Sequence, residues 1–144
     1  MKAKEYFLRV QKAETELRLI RAQIQHYDDL GRSISGRGIS GMPMSHSRGS
    51  SRVETAAIGI YDATRALEEE AKQYSAIIES ARQVISQISQ EKYRQILTYR
   101  YLCNWSFRSI SDEMHYIDQN SVYRAHGWAL AEAQKILNNI QRPC

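Results

Sequence analysis

From Ala3 the apolar positions recur as Ala3, Tyr6, Val10, Ala13, Leu17, Ile20, Ile24 and Tyr27, in alternating steps of three and four residues. That spacing keeps returning to one side of an α-helix and forms a coiled-coil seam. Gly31 is the expected stop, because glycine adopts the left-handed conformation that ends helices. A second seam runs Val53, Ala57, Ile60, Thr64, Leu67, Ala71, Tyr74, Ile78, Ala81, Ile85 and Ile88, with Thr64 its one polar member. Ser51 with Glu54 three residues on has the form of a reciprocal capping box, so this second helix is expected to open at Ser51. Two seams joined by a linker predict an antiparallel hairpin over residues 1–90, which buries both stripes at once. Ala56, Ala63, Ile77 and Val84 widen the stripe of the longer helix, so either the C-terminal helices or a second copy of the chain should cover it. A homodimer is expected, since a two-helix core is thin.

Between the seams, residues 31–51 are rich in Ser, Gly and Arg, hold no acid and show no period. Such a composition buries too little apolar surface to order itself, and a mobile loop is expected there. Its arginines suit phosphate or plain solvation.

The last third has a different rhythm. A third helix over 91–102 places Tyr93, Ile96, Leu97 and Tyr101 inward and Arg94 and Arg100 outward, and Asn104 and Trp105 break it. Ser106 is a sound N-cap for a fourth helix, and Trp105 just before it can staple onto Ile110. Ile110 and Met114 face the core, and Ser111 is small enough for a close helix crossing. His115 stands at the turn, where a positive φ is needed, and Asp118 can cap a fifth helix ending near residue 139. On that helix Val122, His126, Ala129, Leu130, Ala133, Ile136, Leu137 and Ile140 share the apolar face, with His126 expected as a packed core histidine. Trp128 lies off that face and should either cover the hairpin or meet a partner. The expected fold class is all-α: a long antiparallel helical hairpin (coiled coil), residues 1–90, followed by a C-terminal three-helix helix-turn-helix domain, residues 91–140.

The second helix of such a motif can enter the DNA major groove. Opposite its apolar face the fifth helix shows Asn120, Ser121, Tyr123, Arg124 and Gly127. Asn can pair bidentately with adenine and Arg with guanine, while Tyr can meet phosphate or a thymine methyl. Gly127 removes a side chain where the helix would approach the sugar-phosphate backbone. Arg108 and Arg100 complete the candidate DNA-binding set.

Composition narrows the field of functions. A chain of 144 residues with 42% hydrophobic and 25% charged residues reads as one ordered protein. No apolar run approaches the roughly 20 residues that span a bilayer, and the first residues lack the apolar core of a signal peptide, so no membrane partner and a cytoplasmic location are expected. Cys103 and Cys144 cannot make a disulfide framework, and His26, His46, His115 and His126 lack zinc-ligand spacing. No Gly-rich phosphate loop and no His-Glu-x-x-His run occurs. An enzyme, a metal and a cofactor are therefore not expected. The net charge of +4 divides as +1 over 1–30, +4 over 31–52, −3 over 53–90 and +2 over 91–144.

Residues 93–137 resemble the sigma-70 region 4-like helix-turn-helix, in the version found in phage and prophage regulators of the ArpU and RinA type. The likeness is closest in ArgGlnIleLeuThrTyrArgTyrLeu (94–102), SerIleSerAspGluMet (109–114) and ValTyrArgAlaHisGlyTrpAlaLeu (122–130). It extends loosely to the N-terminal helical pair and to Met42-Pro43. The chain departs from the pattern at Ser109 and Ser111, where an acid and an alanine are usual, and at Trp128, where a polar or basic residue is common. The resemblance implies binding of promoter or operator double-stranded DNA, with RNA polymerase as a further partner, in the regulation of late phage genes. By position it implies that Asn120, Ser121, Tyr123 and Arg124 meet DNA while Ile110, Met114 and Val122 hold the motif together. Two alternatives stand beside a transcriptional regulator. One is an oligomeric coiled-coil adaptor of small-terminase type, and the other is a polymerase-binding module without DNA affinity.

Overall fold

The computed structural model describes residues 2–38 and 46–141. All of its regular secondary structure is helical: α1 (Ala3–Gly38), α2 (His46–Ser86), α3 (Glu91–Leu97) continuing into a π-helical turn (Thr98–Leu102), α4 (Phe107–Glu113) and α5 (Gln119–Gln141). No described helix is long and apolar enough to cross a membrane.

The chain divides into two compact units, one of Met1–Thr15 with Tyr74–Cys144 and one of Glu16–Gln73. The first has two adjoining apolar clusters. In the larger, Ala3, Phe7 and Val10 of α1 pack with Ala81, Val84 and Ile85 of α2, Tyr93 and Leu97 of α3, Tyr101 of the π turn, and Ala129, Ala133 and Leu137 of α5. Phe7 lies outside the predicted seam yet is fully buried, because α1 is flanked on more than one side here and its apolar stripe widens to match. The N-terminal N–H of Ala3, which no helix can satisfy internally, donates to Gln134 Oε1 of α5 at 2.6 Å. The smaller cluster holds Ile96, Ile110, Val122 and Ala125, with Trp105, Phe107 and Met114 against it. Ile77 and Val84, two of the surplus apolar residues of α2, belong to the larger cluster, so helices of the same chain cover them.

In the Glu16–Gln73 unit only Leu17 and Ile20 are buried among the described side chains. Further on, Ile24, Tyr27 and Ile34 of α1 and Val53, Ala57 and Ile60 of α2 line one open groove.

Five expectations are corrected. Gly31 does not stop α1, which runs on to Gly38. Ile34 extends the Ile24, Tyr27, Gly31 stripe by a further step, and Arg32 Nη2 meets Asp28 Oδ2 at 3.1 Å one turn back, so the helix has both a reason and a brace to continue. The expected loop 31–51 is helical over 31–38 and 46–51; residues 39–45, including Met42-Pro43, lie outside the described residues. Ser51 does not open α2, whose first residue is His46; once nucleated by the seam downstream, the helix propagates back through residues with no proline among them. Finally, the helix expected over 91–102 is not uniform, because its last five residues widen into a π turn. Ile140, placed on the core face by its spacing, is 59% exposed.

Candidate nucleic-acid interface

The ends of α4 and the start of α5 are closed by local chemistry. Ser106 caps α4, its Oγ accepting from the Ser109 N–H at 3.1 Å. At the other end Tyr116 N–H donates to Ser111 O and His115 N–H to Asp112 O, with His115 at φ 58°. This is a Schellman stop with His where glycine is commonest. Asp118 caps α5, its Oδ1 accepting from the Ser121 N–H at 2.8 Å and the Ser121 hydroxyl at 2.9 Å. Those two bonds, with a smaller contribution from the Arg124 charge, hold the Asp118 carboxyl below the usual carboxylate range. Ser111 is buried where α4 meets α5, and Ile110 and Val122 are fully buried between them. The short α4 and the long α5 are thus joined by a turn of five residues, 114–118, held by these bonds.

The outward side of α5 carries Asn120, Tyr123, Arg124 and Gly127, all exposed. A Cβ added at Gly127 would meet nothing within 4 Å, so glycine here answers no packing need inside the protein. Ser121 is half-buried, with N–H and hydroxyl both committed to Asp118; the structure makes it a helix-capping partner. Trp128, one turn past Arg124, is 57% exposed. Between Asp118 and Glu132 the chain has no carboxylate. Past its Asp118 cap, whose carboxylate already takes the Ser121 N–H, the outward side of α5 therefore carries no acid before Glu132. No family model, curated protein or solved structure matches the chain.

Tyr123 is positioned from behind by a run of rings. Phe107 of α4 meets Tyr123 edge-on at 4.9 Å and His126 edge-on at 5.0 Å, and His126 Nε2 bonds the Tyr101 hydroxyl at 2.7 Å. The Arg100 guanidinium lies 4.2 Å from the Phe107 ring centre and donates to Trp105 O at 3.0 Å. Arg94 Nη1 donates to Ile88 O at 2.5 Å and Ser89 O at 3.0 Å. Both arginines were expected outward. Instead they turn onto carbonyls just past α2 and the π turn, which lie outside any helix and which a guanidinium reaches. Arg108 on α4 is exposed. Of the seven candidates, Asn120, Tyr123, Arg124 and Gly127 share one exposed face, while Ser121 and Arg100 have structural partners. Phe107 was missed, as was the part played by Lys4, whose charge reaches His126. Neither lies on a periodic stripe with the residue it acts on, so spacing along one helix carries no sign of them. Among the described residues no group of three or more His, Cys, Asp or Glu is placed to hold a metal.

His126 lies behind this face, against Phe107. Burial, then the charges of Arg100 and Lys4, push its imidazole down to about 4. Burial also pushes the Tyr101 phenol up, against the opposing charge of Arg100. At neutral pH both groups are uncharged, and the more acidic phenol donates to Nε2. Since the folded value lies below the ordinary 6.5, the stability tied to neutral His126 is complete above pH 6.5 and is lost as the pH falls from there through about 4. Allowing for screening at a half-buried ring, the loss is on the order of 1–2 kcal/mol. Urea midpoints measured across that interval should fall in the native chain and stay flatter in His126→Gln. Equal slopes would remove His126 as the cause.

Proposed function

We propose that α4, the 114–118 turn and α5 form a helix-turn-helix that reads duplex DNA. In this reading the chain is a sequence-specific transcriptional regulator of phage or prophage origin with a sigma-70 region 4-like module over 91–140. The observation that carries it is the carboxylate-free exposed face of α5, with Asn120, Tyr123, Arg124 and Gly127 over its first three turns and a second helix bracing it. Residues 1–90 are then an antiparallel coiled-coil hairpin whose open ends are packed into the module's own core. Charge supports the same reading. The Glu16–Gln73 unit has eight basic and eight acidic residues, so the net +4 of the chain belongs wholly to the unit that contains α5. Asn120 and Arg124 are the base-reading residues, and Arg108 and Tyr123 touch phosphate or sugar. The protein acts in the cytoplasm, where its DNA lies.

Exposed Trp128 favours one addition, a protein contact beside the DNA, for which RNA polymerase is the natural partner.

Duplex binding followed by fluorescence anisotropy across a salt series tests the electrostatic half of this proposal. Arg108→Ala is expected to weaken binding about equally on every sequence and to reduce the slope of log affinity against log salt by about one. Affinity without salt dependence, or no affinity at low salt, would leave the face without a phosphate partner and favour the polymerase-binding module.

A further inference from the structure

The three-four pattern of α1 and α2 meets two different fates. In the first unit Phe7, Val10, Ala81, Val84 and Ile85 are enclosed by α3, the π turn and α5. In the Glu16–Gln73 unit the pattern continues with only two helices to bury it, and beyond Ile20 no described side chain is buried. Ile24, Tyr27, Ile34, Val53, Ala57 and Ile60 line an open groove of about 1120 Å³, and Tyr61 on its border is 63% exposed. A helical pair closes such a stripe by meeting another pair, which gives a four-helix bundle around one shared core.

Charge selects the occupant. The eight basic and eight acidic residues of this unit leave it neutral overall, so two copies can approach without net repulsion. The charged residues lining the groove are Arg21, Asp28 and Arg32 on α1 and Glu68 on α2. With the helices antiparallel, Arg21 and Glu68 stand at one end, and Asp28 and Arg32 lie toward the other. A two-fold axis across the helices packs α1 on α1 of the second copy and sets Arg21 against Asp28 of the partner subunit. A two-fold along the helices would instead set each charge level with its own copy.

We infer that this groove is the docking surface for a second copy of the chain, joined antiparallel by a two-fold axis into a four-helix bundle. The interface is independent of the DNA reading. Sedimentation equilibrium of the full chain is expected to give twice its 16.7 kDa. Ile60→Asp, which sets a carboxylate in the apolar groove, is expected to give monomers. Arg21→Asp is expected to raise the dissociation constant by about tenfold, because the symmetry applies each reversed pair twice, and Asp28→Arg added to it should restore dimerisation. Circular dichroism checks that helix content survives each change, and the paired charge reversal keeps the test decisive if Ile60→Asp unfolds its helices. A monomeric native chain at micromolar concentration, a ring of many subunits, or a dimer indifferent to both the Ile60→Asp and Arg21→Asp changes would overturn the inference.

Discussion

Arg124→Ala is expected to remove about 1–3 kcal/mol of discrimination at one base pair of the bound site while leaving the folded protein unharmed. Arg124 is exposed on the outward face of α5, and its effect within the chain is a minor one on the Asp118 carboxyl. Its guanidinium is therefore available for the two parallel hydrogen bonds a guanine edge accepts in the major groove. Competition between the preferred duplex and its single-base variants measures this directly. The variant should bind most of them as the native protein does and lose its preference at one position. A uniform loss over all sequences would make Arg124 a phosphate contact, and unchanged specific binding would put the reading face elsewhere.

Phe7→Ala is expected to cost about 3–5 kcal/mol, a large share of the 5–15 kcal/mol that holds a typical domain together. The Phe7 ring has no solvent exposure; it stacks on Tyr101 at 5.2 Å with planes 28° apart, and Tyr6 meets its edge at 5.2 Å. It anchors the first turns of α1 in the cluster that also contains the end of α2, the π turn and the second half of α5. Leu8, the next residue, is 47% exposed, and Leu8→Ala should change stability by no more than about 0.5 kcal/mol. Urea unfolding of the pair separates the burial argument from mere loss of an apolar group. Similar midpoints for the two variants would mean that α1 is not part of this core. The DNA affinity of Phe7→Ala should fall only as far as its folded fraction falls.

What was legible in the chain depended on how far each decision reaches. Ser106, His115 and Asp118 were assigned correctly because caps and stops are settled within four or five residues. The stripes were legible too, though Ile34 shows that their ends were not: Gly31 looked like a stop only if the stripe was taken to finish at Tyr27. Phe7 and Ala125 escaped because a single seam allows one partner per helix, whereas α1 and α5 each face several elements. Arg94 and Arg100 were misplaced because charge was equated with solvent, while loose carbonyls at Ile88, Ser89 and Trp105 made better partners. The exposed Asn120, Tyr123, Arg124 and Gly127 were legible from their spacing opposite Val122, Ala129 and Ala133. The rings behind Tyr123 join α4, α5 and the π turn, and no periodicity within one helix encodes that meeting.

The most direct measurement of the DNA-reading proposal is affinity selection of sheared host and prophage DNA by the purified protein, followed by sequencing, with Arg124→Ala treated in parallel. Enrichment of one short site by the native protein, absent with the variant, is the predicted result. No enriched site at a salt concentration low enough for phosphate contacts would contradict it.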